Sequence, residues 1–219
     1  MTDVEYFRYG KKETEHLKER DPALGVAIER IGLVRREVIP DLFTALVHSI
    51  VGQQISSKAQ KTVWGRICEK VDSITPESLY HISIEDLQSC GISLRKADYI
   101  KKLAEEVYRG RLDLAALQTE SDEAVCRRLC ELKGVGAWTA EMLMIFSMQR
   151  PNIISRGDFG ILKGLRMLYH HREITDELFY EYRQRYSPYA TVASLYLWEI
   201  AGGACPELID PALEKERIK

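Results

Sequence analysis

The sequence predicts an all-α protein. Three observations carry that prediction. Apolar residues recur at spacings of three and four along most of the chain, stretches that alternate with period two are few, and most periodic segments follow a Ser, Thr or Asp suited to capping a helix. Thr14 to Glu19 reads as a short polar helix. Asp21-Pro22 caps and starts another, with Leu24, Ile28 and Ile31 inward, since proline at the first helical position gives up no needed donor. Arg35 to Ile39 reads as extended. Asp41 caps a helix with Leu42, Ala45, Leu46, Ser49 and Ile50 on one side, ending near Gly52. Ser56 or Ser57 begins the next, with Ala59, Val63, Ile67 and Val71 inward.

Thr75-Pro76 and Ser83 are two further starts, and Gly91 suits a helix end. Ser93 opens a helix to about Arg109, Ser121 one reaching Leu132, and Ala137 one to about Gln149. Phe159–Tyr169, Thr175–Tyr186 and Tyr189–Ala201 complete a set of about ten helices with short connections.

Composition narrows the class. The 219 residues suffice for one large domain or two small lobes, and 45% hydrophobic residues can form a core. No segment has the roughly 18 uninterrupted apolar residues of a membrane span, and Met1 to Lys12 lacks the apolar region of a secretory signal. The five cysteines (Cys68, Cys90, Cys126, Cys130, Cys205) are scattered. They read as reduced, mostly packed thiols in a cytosolic setting. A net charge of −2, from 31 basic and 33 acidic residues, argues against gripping nucleic acid by bulk charge. It leaves open phosphate binding by backbone amides at helix ends, which no charge count registers.

The most informative stretch is Leu132-Lys133-Gly134-Val135-Gly136-Ala137-Trp138-Thr139-Ala140. Two helices flank a turn whose glycines permit positive φ and close approach. Val135 would plug inward, and the amides after Gly134 would face an anion at the next helix start. Taken alone, Gly-x-Gly also fits an ordinary turn between helices with a glycine cap.

The surrounding blocks resemble the helix-hairpin-helix (HhH-GPD) DNA glycosylase superfamily, on its AlkA-like 3-methyladenine DNA glycosylase II branch. Leu132 to Ala140 resembles the family hairpin. Ser155-Arg156-Gly157-Asp158-Phe159-Gly160 places an aspartate 22 residues beyond Gly136, as the family does. Ile50-Val51-Gly52-Gln53-Gln54-Ile55-Ser56 resembles an upstream family segment, and Ser187-Pro188-Tyr189 to Trp198 its final helix. The blocks stand in the family's order over roughly residues 15–205.

The resemblance implies two helical lobes with a cleft between them and the hairpin at the cleft. The expected division is residues 1–40 with 171–219 in one lobe and 41–170 in the other, the hairpin lying at about 122–149. It further implies excision of a damaged base rotated out of double-stranded DNA. Gly134, Val135, Gly136, Thr139 and Lys133 would hold phosphate. Gln53 and Gln54 would contact DNA, with Gln54 as the wedge. Trp138, Phe159, Tyr189, Phe43 and Met142 would line the base pocket, because electron-rich rings attract a cationic alkylated purine. Asp158 would be catalytic, stabilising the oxocarbenium-like sugar; it would also cap the helix from Phe159. Trp198 is assigned to packing.

Leu132 and Val135 carbonyls would hold a structural Na+ or K+ when DNA is bound, and no other cofactor is implied. Lyase-active relatives carry lysine where this chain has Trp138, so release by water is expected. With Cys205 alone near the C-terminus, no iron–sulfur cluster is expected. A monomer is expected, in the cytoplasm and nucleoid or in a nucleus. Two competing readings are a bifunctional glycosylase/lyase for oxidised bases and a non-catalytic hairpin module that binds DNA.

Overall fold

The computed structural model describes residues 4–212. In chain order these form β1 (Glu5–Tyr6), α1 (Lys11–Arg20), α2 (Pro22–Ile31), β2 (Glu37–Val38), α3 (Leu42–Gly52), α4 (Ser57–Lys70), α5 (Pro76–His81), α6 (Ile84–Ser89) and α7 (Leu94–Tyr108). A 3₁₀ turn (Ala116–Thr119) leads to α8 (Asp122–Cys130), α9 (Ala137–Phe146), α10 (Phe159–Tyr169), α11 (Asp176–Tyr186) and α12 (Ala190–Ala201). The all-α expectation holds, with one addition: β1 and β2 pair antiparallel, Glu5 opposite Val38 and Tyr6 opposite Glu37.

The capping residues explain most starts. Asp21, Asp41, Ser56, Thr75, Ser83, Ser93, Ser121, Asp158 and Thr175 each accept an amide from the first turn of their helix, satisfying a donor the helix itself cannot. The first helix begins three residues before the expected start at Thr14. Glu13 reaches back to accept the Gly10 amide at 2.7 Å, a cap made by a helix residue. Conversely, α9 stops at Phe146, short of Gln149, which takes a left-handed φ of 52°.

The chain divides into two units, one of Ile39–Met148 and one joining residues up to Val38 with those from Gln149 onward. The expected boundary at residue 170 is therefore corrected to 148. The cause is α10, which packs on α12 and also meets α2. Gly164 allows this: a Cβ there would lie 2.4 Å from the Leu197 carbonyl oxygen, so only glycine permits the approach.

In the terminal unit α12 is the central element, buried at every position from Ala190 to Leu197. In the other, α7 packs against α3, α5 and α6, while α8 packs on α9. Leu46, Ile67, Leu79, Leu87, Ile100, Leu129 and Ile145 are fully buried there. Cys90 and Cys205 are packed as expected, but Cys68 and Cys130 are exposed, on the outer faces of α4 and α8.

Candidate functional site

In the unit of residues 39–148, α8 and α9 form the two arms of the predicted hairpin. Gly134 has φ 85°, and a Cβ there would fall 2.5 Å from Cδ2 of Tyr99, so both backbone and packing require glycine. Gly136 differs. Its φ is −100°, and a Cβ would meet nothing within 4 Å. Its missing side chain is thus not demanded by this unit's own packing. Val135 is buried and plugs the turn as expected, but its amide donates to the Leu132 carbonyl at 3.1 Å. That amide is thus already engaged within the turn. Thr139, expected on phosphate, is the third residue of α9 and its side chain is largely buried. No side chain caps α9, and Lys133 is exposed beside the turn.

Gln53, expected on DNA, is turned inward: its side-chain amide donates to the Gly134 carbonyl at 2.6 Å. The neighbouring Gln54 is exposed in a left-handed conformation, φ 57°, on the short turn between α3 and α4. Lys96 of α7 donates to the carbonyls of Val51 and Gln53 at 2.9 and 2.6 Å. Burial, with Arg95 nearby, pushes its ammonium below the ordinary lysine range. The sequence reading missed Lys96. Its signal was a lysine inside the first turn of a helix, a place where the dipole disfavours a cation unless carbonyls elsewhere hold it.

Trp138 is exposed on the first turn of α9, and Met142, four residues on, is half-buried. Phe43 is corrected to packing, because its ring is 3% exposed in the core of α3's unit. The Leu132 and Val135 carbonyls fit an alkali cation by type, being neutral hard oxygens on one turn. The bond that Leu132 accepts leaves that oxygen a second lone pair. Among the described residues, no group of three or more His, Cys, Asp or Glu is placed to hold a metal.

In the terminal unit, Asp158 sits at the head of α10 and is 8% exposed. Its Oδ1 accepts the Ile161 amide at 2.9 Å and the indole N–H of Trp198, also at 2.9 Å. Gly160 makes room for that indole, since a Cβ would lie 2.8 Å from Trp198 Cδ1. The irregular segment leading to Asp158 is fastened to α12 by two buried hydroxyls. Thr191 accepts the Ile153 amide at 2.9 Å and donates to the Arg150 carbonyl at 2.6 Å. Ser194 donates to the Ile153 carbonyl at 3.2 Å. The assignment of Trp198 to packing is thereby corrected to a direct partner of the carboxylate. Glycines four apart at Gly160 and Gly164 were the signal for a close helix contact.

Tyr189 is half-buried just before α12, with His16 edge-on at 5.2 Å and the Lys12 ammonium 6.0 Å from its ring centroid. The Ser187 carbonyl accepts a hydrogen bond from His16 Nε2 at 3.0 Å, which fixes the proton on that nitrogen. Phe159 is 73% exposed, with the Arg166 guanidinium 5.9 Å from its ring centroid; within its own unit it is a surface ring.

A family model described as HhH-GPD superfamily base excision DNA repair protein matches residues 47–188, a span that holds the hairpin and Asp158. The chain belongs to this superfamily. DNA-3-methyladenine glycosylase 1 of Schizosaccharomyces pombe is 31% identical over 162 residues, 72% of this chain and 71% of that protein. Among solved structures, DNA-3-methyladenine glycosidase from Bacillus halodurans superposes with a TM-score of 0.83 at 38% identity, over 93% of this chain and 95% of that one. The Schizosaccharomyces pombe 3-methyladenine DNA glycosylase in complex with abasic DNA gives 0.74 at 27% identity, over 88% and 97%. The fold of this chain is thus shared with both of these solved structures. Among the described residues, no helix is long and apolar enough to cross a membrane.

Proposed function

We propose that this chain is a monofunctional DNA glycosylase that hydrolyses the N-glycosidic bond of alkylated purines of the 3-methyladenine and 7-methylguanine class, flipped from duplex DNA. The observation that carries it is Asp158, a buried carboxylate oriented by the α10 N-terminus and by Trp198 in a member of this superfamily. The names of the similar glycosylases point to the same substrate class.

The chemistry follows from charge. An alkylated purine of this class is cationic. When its bond to the sugar breaks, the electron pair neutralises the base, so its departure requires no added proton. The cation passes to the sugar, and the Asp158 carboxylate stabilises it electrostatically. Water then adds to the anomeric carbon and loses its proton, with the same carboxylate as base. Trp138 offers no amine to trap the sugar, so the strand stays intact.

The other unit supplies the grip on DNA. Gly136, bare of a side chain, and the uncapped first turn of α9 meet a phosphate, with Lys133 adding charge. Carbonyls of Leu132 and Val135 would hold a Na+ or K+, whose charge would strengthen that phosphate contact. Trp138 and Met142 of this unit contact the everted base, and Gln54 fills the space it leaves. The protein acts as a monomer wherever the cell keeps its DNA.

The test is release of free base from alkylated duplex DNA. Wild type frees methylated purines and leaves strands intact, borohydride traps no adduct, and Asp158→Asn loses about 100-fold in rate or more. A trapped adduct, or release unchanged in Asp158→Asn, would overturn the proposal.

A further inference from the structure

Two lysines on α7 do similar things in different places. Lys101 donates to the carbonyls of Tyr80 and Ile82, the latter at 2.7 Å, closing the C-terminus of α5. Lys96 closes the C-terminus of α3 in the same manner, through Val51 and Gln53. The two helix ends differ in the residues that come next. After Ile82 the chain simply enters α6. After Gln53 comes Gln54, held at φ 57°, which a residue with a side chain keeps only where its surroundings impose it. On the opposite flank, the Gln53 amide is bonded to the Gly134 carbonyl of the hairpin. The turn bearing Gln54 is therefore tied both to α7 and to the hairpin.

We infer that Lys96 is a positioning residue for base eversion: its two bonds to Val51 and Gln53 preset the Gln54 turn against the hairpin, so that the wedge is in place before DNA arrives. The inference rests on the functional reading above, which makes Gln54 the wedge. An untethered turn would have to be ordered during insertion, and that entropy would be lost from the binding step. A preset turn inserts in register with the strand that the hairpin grips.

The experiment uses a duplex with a tetrahydrofuran abasic-site analogue and 2-aminopurine beside it, whose fluorescence rises as a wedge unstacks it. This DNA has no base to release, so insertion is read apart from catalysis. Lys96→Met slows insertion about tenfold, Lys96→Arg restores part of it, and Lys101→Met inserts like wild type although its melting temperature falls. Gln53→Leu, which cuts the tie from the hairpin side, slows insertion likewise and serves if Lys96→Met does not fold. Insertion at the wild-type rate in Lys96→Met or Gln53→Leu overturns the inference, as does a wild type that never inserts. A wild type that inserts but frees no methylated purine overturns the functional reading and leaves the variants to judge this one.

Discussion

The indole of Trp198 donates to Oδ1 of Asp158 at 2.9 Å, joining the last turn of α12 to the head of α10. The same oxygen caps α10 through Ile161. Trp198→Phe keeps an aromatic ring but deletes the donor. It is expected to cost about 1 kcal/mol of stability and to slow base release about tenfold, because a carboxylate with one fewer tether samples orientations away from the sugar. Thermal melting and single-turnover release check the two effects. Release at the wild-type rate would reduce Trp198 to a packing residue.

Asp158 caps α10, and substitution can separate that role from the catalytic one proposed for it. Asparagine caps helices about as well as aspartate. Asp158→Asn should therefore melt within about 0.5 kcal/mol of wild type while losing its activity. Asp158→Ala loses both, with a stability cost of about 1 kcal/mol. If Asn and Ala were equally destabilising, the buried carboxylate would owe its place to charge pairing rather than to capping.

Much of this arrangement was legible before any coordinates. Caps such as Asp41, Ser93 and Thr175 announce helix starts because the reason is local: an orphan amide needs an acceptor within three residues. Asp158 was legible as a cap for that reason too. What stayed hidden depends on residues far apart in sequence. The boundary at 148 follows from Gly164 against Leu197, and the Asp158 tether from Trp198, forty residues on. Thr191 and Ser194 look like ordinary small residues of a buried helix until the chain at Arg150 and Ile153 is laid beside them. Gln53 misled for a related reason. A polar residue beside a helix end suggests a surface contact, whereas its acceptor, Gly134, lies eighty-one positions away.

The two hairpin glycines should respond differently to alanine. Gly134→Ala forces a side chain into φ 85° and against Tyr99, at a cost of about 2 kcal/mol or more. Gly136→Ala meets open space at a φ that any residue adopts, so it should cost only about 0.5 kcal/mol, the loss expected when alanine replaces glycine at a helix N-cap. Its methyl would instead stand where phosphate approaches, weakening DNA binding about tenfold, near 1.4 kcal/mol. Denaturation and fluorescence-anisotropy titration measure each. Unchanged affinity in a folded Gly136→Ala protein would count against the hairpin as the anchor.

Acid should loosen α10 from the segment beyond α12. Arg166 grips Asp210 with two bonds, Nε to Oδ1 at 2.9 Å and a second nitrogen to Oδ2 at 2.6 Å, and both side chains are largely buried. The guanidinium is the main cause that holds the Asp210 carboxyl below the usual aspartate range, with the Ala212 amide adding to it. A depressed folded value stabilises the native state above the unfolded value of about 3.9, and that contribution fades as pH falls through the folded value. Asp210→Asn should therefore be less stable than wild type at pH 7 by about 3 kcal/mol, since it leaves Arg166 without its counter-charge. The gap between the two melting temperatures should close as pH drops below about 4. A gap that stays constant down to about pH 2.5, well under the unfolded value, would mean that the pair contributes through packing and hydrogen bonding rather than through its charge.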